Sequence, residues 1–156
     1  MNMPKPNEHH DRLDRLVGTW MGEEKINQTP FSPAATAVGR YVHRREMDGF
    51  FLLQDYQQER AGKITYRGHG VFGYDTEKKD YTWYWVDSFG MPPAAPSRGR
   101  WNGDTLLFET QWQELQRGRY TYQFSGDDAF MFRLESSQDG GKTWLVLMEG
   151  NYRKHV

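Results

Sequence analysis

Cysteine is absent from all 156 residues. That excludes a disulfide framework, a thiol nucleophile and a cysteine-built zinc site. An excess of one charge is missing too: 20 basic residues offset 21 acidic ones, for a net charge of −1. The basic footprint that nucleic acid requires is therefore not there. No apolar run approaches the roughly 18 residues that mark a membrane span. The opening MNMPKPNEHHDR carries no apolar core of a secretory signal. The expectation is a cytoplasmic protein with no nucleic-acid or membrane partner. The chain also lacks H-E-x-x-H, a serine-centred G-x-S-x-G and a Walker loop. No metal, cofactor or catalytic residue is assigned from motifs.

What is abundant is aromatic: 6 Trp, 9 Tyr and 9 Phe. Such residues favour pleated, half-buried surfaces, and with 16 Gly they predict an all-β protein. The length suits a single domain over residues 1–156 with a real core. Asn7 caps one short N-terminal helix running to about Leu16, with Leu13, Leu16 and Val17 on one side. Strands are expected near 18–27, 36–47, 50–59, 64–74 and 80–88. Five more are expected near 97–101, 105–113, 119–125, 129–137 and 143–153. Asp48-Gly49 and Asn102-Gly103 are two-residue hairpin signals. Ten sequential strands with short connections have one economical solution, a closed antiparallel up-and-down β-barrel without edges. The Pro-rich stretches 28–35 and 89–96 belong at a barrel mouth, and the loop Phe89–Pro96 suits a lid.

Hairpin arithmetic then assigns faces. A turn at Asp48-Gly49 sets Glu46 opposite Phe51 and Val42 opposite Asp55. Carried through the next two turns, Phe51, Leu53 and Asp55 share an inward face with Phe72, Trp83, Trp85 and Asp87, the large rings facing Gly68 and Gly70. The outward face then holds His43, Arg45, Gln54, His69 and Tyr84, unless a bulge inverts part of it. Tyr66 and Phe132 complete the expected walls. Asp55 and Asp87 form a candidate carboxylate pair, of the kind that raises one pKa and supports acid–base chemistry. Glu149 is expected to share a face with Phe130, Phe132, Leu134, Leu145 and Leu147. There it would pair with Arg98, Arg100 or another base, or anchor a ligand. Trp144 and Met148 fall on the other face, as an apolar patch suited to a homodimer.

Three motifs dissolve in context. Gly68-x-Gly70-x-x-Gly73 matches a dinucleotide fingerprint, but a turn and another strand follow where a helix N-terminus is required. Ser137-x-Asp139-x-Gly141-x-Thr143-Trp144 matches the aspartate box of sialidase propellers. One copy in a chain this short cannot build a propeller of ~40-residue blades, so the box reads as a hairpin turn. Among the histidines, only His43 and His69 lie within strands, expected on one face, and both read as ordinary strand histidines.

A helix leading into Gly18-Thr19-Trp20 resembles the lipocalin and calycin group, in which a G-x-W tryptophan packs at the closed end of the barrel. An arginine of the last strand commonly covers that ring, and Arg153 is the matching position. The ordered set Gly18-Thr19-Trp20, Gly73-Tyr74-Asp75 with Lys79-x-Tyr81, and Trp85-x-Asp87-x-x-Gly90 resembles an uncharacterised bacterial family of lipocalin-like barrels. That resemblance implies the fold and no activity. The haem-binding nitrobindin-like group also opens on a G-T-W-like strand. Its proximal histidine lies on a late strand, whereas His155 here falls beyond the last predicted one.

Three functional readings follow. The first is a barrel that binds a small apolar or aromatic molecule, walled by Phe51, Leu53, Tyr66, Trp83, Trp85 and Phe132, with Asp55, Asp87 and Glu149 as polar anchors. The second is a cofactor-free enzyme that uses buried carboxylates. The third is a filled barrel acting as a dimeric interaction module.

Overall fold

A computed structural model describes residues 2–155. Asn7 opens α1 (Glu8–Asp11): its side chain accepts from the backbone N–H groups of His9 and His10, and the His10 imidazole accepts from the Asn7 N–H. A 3₁₀ turn, Arg12–Leu16, continues the helix. Ten strands follow: β1 (Gly18–Ile26), β2 (Ala35–Glu46), β3 (Phe51–Arg60), β4 (Lys63–Asp75) and β5 (Asp80–Asp87), then β6 (Ser97–Asn102), β7 (Thr105–Gln111), β8 (Arg117–Phe124), β9 (Ala129–Ser137) and β10 (Leu145–His155). Each pairs antiparallel with its neighbour in sequence, and β10 pairs with β1, closing the barrel. The up-and-down architecture expected from the sequence is the one observed.

The helix plugs one end. Leu13 and Leu16 are buried, Arg15 lies 4.7 Å over the Phe124 ring, and Arg45 bonds Asp14 at 2.6 Å. Trp20 is fully buried against Phe130, and its indole N–H donates to the Leu16 carbonyl at 2.8 Å. The cation over this ring is Lys154, at 5.6 Å. Arg153 is on the outer face instead, because period-two alternation puts Lys154, itself exposed, on the same face as the buried Tyr152. Strand alternation places the connections 27–34, 61–62, 88–96, 112–116 and 138–144 together at the other end. Both Pro-rich loops thus lie at the mouth, as expected.

Two bulges decide which side chains face in. The β2–β3 register is the expected one, Glu46 opposite Phe51 and Val42 opposite Asp55. Between β3 and β4 the register shifts at Gln58/Glu59, so Asp55 pairs with His69 and Gln54 with Gly70. This one-residue slip inverts β2 and β3 relative to the expectation. Leu52, Gln54, Tyr56 and Gln58 are buried, together with Tyr41 and His43, while Phe51, Leu53 and Asp55 lie on the outer surface. His43 and His69 consequently lie on opposite faces. β4 and β5 keep the expected pairing, Gly68 opposite Asp87 and Gly70 opposite Trp85. A second shift, between Val146 and Met148, turns Met148, Gly150 and Tyr152 inward and Glu149 outward. β10 also runs on to His155, so that residue belongs to the last strand, with its side chain exposed.

Candidate functional site

The barrel interior is solid near the plug and hollow towards the mouth. The lower half is ring-packed: Phe72 stacks on Trp83 at 5.5 Å, and Tyr122 contacts Phe130 at 5.8 Å. Above it a cavity of about 650 Å³ opens between the strands. Tyr66, Trp83 and Trp85 from β4 and β5 line one side. Tyr120, Phe132, Leu134 and Met148 from β8 to β10 line the other, and Tyr41 and Tyr122 close the floor. At the rim stand Thr29, Ser32, Phe89 and Trp112. The glycines on β4 make this arrangement possible: a Cβ on Gly68 would overlap the Trp85 ring, so glycine there lets the indole lie flat on the wall.

Of the residues expected in the site, Tyr66, Trp83, Trp85, Asp87 and Phe132 stand on the cavity wall. Phe51, Leu53, Asp55 and Glu149 do not, as a consequence of the two bulges. Asp55 is held on the outer surface by Arg44 and His69, each at 2.8 Å, and these partners keep its carboxyl below the usual range. Glu149 meets Arg133 at 3.0 Å on the outer face. The expected Asp55–Asp87 pair is thus split between the two faces of the wall. Trp144 and Met148 are separated as well: Met148 points into the cavity, while Trp144 lies under Arg119 at 4.0 Å.

Two polar clusters that alternation alone did not assign lie beside the cavity, one at its floor and one in the wall towards the mouth. Gln54 is fully buried and fully bonded. Its Nε2 donates to His43 Nε2 at 2.9 Å and to the Tyr122 hydroxyl at 3.1 Å, and its Oε1 accepts from Trp83 Nε1 at 3.1 Å. His43 is therefore neutral, with its Nδ1 turned towards the Leu16 carbonyl that Trp20 already occupies, and without a closed bond of its own. Burial pushes the His43 pKa down to about 3. The second cluster surrounds Glu24, which is 1% exposed. The Tyr56 hydroxyl donates to it at 2.7 Å, Gln58 Nε2 at 3.0 Å, and the Tyr152 hydroxyl closes the set. Burial raises the Glu24 pKa against the pull of these three donors. Gly39 leaves the room this carboxylate occupies. A signal for Glu24 was present: it lies two strand periods from Trp20 on the same face of β1.

Asp87 has a different role from a free anchor. Its Oδ2 accepts from the Tyr66 hydroxyl at 2.7 Å and Trp85 Nε1 at 3.0 Å, and its Oδ1 accepts from the Phe89 N–H at 3.0 Å. It therefore ties two cavity rings to the start of the loop 88–96. Phe89 lies 5.2 Å from Tyr66 over the rim. The aspartate-box stretch is a turn at the same end of the barrel: Asp139 accepts from the Ser137 and Thr143 hydroxyls and the Thr143 N–H, and these donors hold its pKa down to about 2. The Gly68-x-Gly70-x-x-Gly73 glycines lie within β4, facing side chains and no helix N-terminus.

The histidines are away from the cavity wall among the described residues, and no cluster of three His, Cys, Asp or Glu able to hold a metal occurs among them. No helix there is long and apolar enough to cross a membrane.

Solved structures with the same fold include Rv2717c from M. tuberculosis. It superposes with a TM-score of 0.72 at 13% identity, over 96% of this chain and 99% of that one. The S-type phycobiliprotein lyase CPES from Guillardia theta superposes with a TM-score of 0.66 at 11% identity, over 95% and 93% of the two chains. At such identities the likeness establishes the fold alone. No curated protein matches the sequence. A family model does match, over residues 5–154, and the chain belongs to that family, the proteins of unknown function DUF1579.

Proposed function

We propose that this barrel binds one small, mostly apolar molecule, held against the rings of its upper half. The observation that carries the reading is the ring-walled cavity of about 650 Å³. Its size falls within the roughly 300–1,000 Å³ of small-molecule sites. Large rings whose polar tips are already bonded offer flat apolar faces to a guest without stranding polar atoms. The Trp83 and Trp85 N–H groups are both taken up inside the protein, so the wall recognises shape and apolar surface first. One barrel of this architecture is a phycobiliprotein lyase, so the architecture does carry chemical work in at least one chain. The filled-barrel alternative loses its premise with the hollow interior. The acid–base alternative loses its pair with Asp55 on the outer surface.

The test is a titration with 1-aminoanthracene, a neutral fluorescent aromatic, followed through its own emission and the quenching of tryptophan. One saturable site per barrel in the micromolar range is expected. Leu134→Trp fills the cavity and is expected to weaken binding at least ~10-fold while the melting temperature holds. Absence of saturable binding by neutral and anionic aromatic probes alike would overturn the reading.

A further inference from the structure

The charges around the cavity are unequally committed. Asp87, the carboxylate on its wall, is fully occupied by Tyr66, Trp85 and the Phe89 N–H. Glu24 lies behind Tyr56 and Gln58 and is occupied by three donors. Neither has a vacancy for a cationic guest.

Arg60 is the opposite case. It is the cation among the described residues that line the cavity. Its place follows from β3 itself: Leu52, Gln54, Tyr56 and Gln58 face inward, and Arg60 is the next inward position, at the rim. Among the described residues it forms no ion pair within 4.0 Å. Among those residues its one side-chain hydrogen bond is to Gln58 Oε1, at 3.3 Å. Gln58 is itself fixed by Glu24 and Tyr56, so the guanidinium is held at the mouth by an ordered partner and keeps most of its donors free.

A second feature points the same way. The β3–β4 turn sets Arg60 directly opposite Lys63, across Ala61 and Gly62. Like charges facing each other across two strands destabilise a hairpin. Lys63 also has no carboxylate partner among the described residues. Lys63 thus adds a second exposed cation beside Arg60, the one that lines the cavity.

We propose that the cavity selects molecules with an apolar or aromatic body and a terminal anionic group, a carboxylate or a phosphate, with the body inside the barrel and the anion on Arg60. The guanidinium fork suits either anion, because both accept two parallel hydrogen bonds. This assignment rests on the reading of the barrel interior as a binding site.

The test uses a matched pair of probes, 1-pyrenebutyrate and 1-pyrenebutanol, which differ in the charge of one end. The natural chain is expected to bind the butyrate roughly tenfold more tightly at low ionic strength, with the preference shrinking as salt rises. Arg60→Gln is expected to abolish the preference and Arg60→Glu to reverse it. Both variants are expected to melt with the natural protein, since Arg60 is exposed at the rim. Equal binding of both probes, unchanged in Arg60→Gln, would overturn the assignment and leave the binding barrel standing. Binding of neither probe would overturn both.

Discussion

Two buried groups titrate in opposite senses, and the distinction lies in what burial does to each charge. His43 is neutral in the barrel, with its pKa pushed down to about 3 from an ordinary 6.5. In that window the unfolded chain binds a proton that the folded one refuses, so stability falls as pH drops from 6.5 towards 3. The loss from this residue is on the order of a few kcal/mol. His43→Gln keeps an acceptor for Gln54 and carries no proton to gain. Urea unfolding between pH 7 and pH 4 is expected to show a markedly flatter decline in that variant. Glu24 acts the other way. Its raised pKa means that the folded state holds a proton the unfolded chain has released. Its contribution is complete below about 4.5 and is lost as pH rises through the folded value. Glu24→Gln is expected to remove the decline in melting temperature above pH 4.5, and an identical pH profile in the variant would show that the carboxyl does not titrate there.

At the scale of elements, β5 and the loop that follows it form one mechanical unit. β5 pairs with β6 only from Tyr81 to Trp83, so its upper half, Tyr84 to Asp87, is flanked by the loop 88–96 in place of a strand. Asp87 fastens that loop through the Phe89 N–H while holding Tyr66 and Trp85 in the wall. Asp87→Ala is expected to speed amide hydrogen exchange in residues 88–96 well beyond that of β9. It is also expected to cost about 1–3 kcal/mol, because Tyr66 and Trp85 lose a shared acceptor. Unchanged exchange would show that the loop is held by something else. The existence of every strand was legible in the sequence, because aromatic alternation and turn residues punctuate the chain at short intervals. The site was legible only in part. β4 and β5 were placed correctly because their glycines have to face tryptophans. β2 and β3 were inverted because the bulge opposite Gln58 leaves no composition signal: Ile64, Thr65 and Tyr66 suit either register equally. Arg60 was missed for the same reason, being readable only once the inward face of β3 is known, whereas Glu24 was readable from Trp20 on the same face of β1.

The whole molecule divides its interior by packing. The helix-plugged half is packed ring on ring and supplies stability, whereas the mouth half gives up packing to leave a cavity of about 650 Å³. The division has a consequence for truncations. Phe130, near the plug, is buried among Trp20, Tyr41, Tyr122, Phe124 and Tyr152, so Phe130→Ala opens a void where none existed. It is expected to cost about 3–5 kcal/mol. Leu134 already borders empty space, so Leu134→Ala enlarges a cavity whose lining has lost its contacts on that side. The expected cost is below about 2 kcal/mol, since the removed methyls had fewer partners. The same truncation gives a bound molecule more room and is expected to preserve probe binding, where Leu134→Trp is expected to weaken it. Thermal unfolding of the two alanine variants, paired with probe titration, separates the halves. Equal destabilisation by both would mean that the upper barrel is as tightly packed as the lower, and the division between a structural base and a binding mouth would fall.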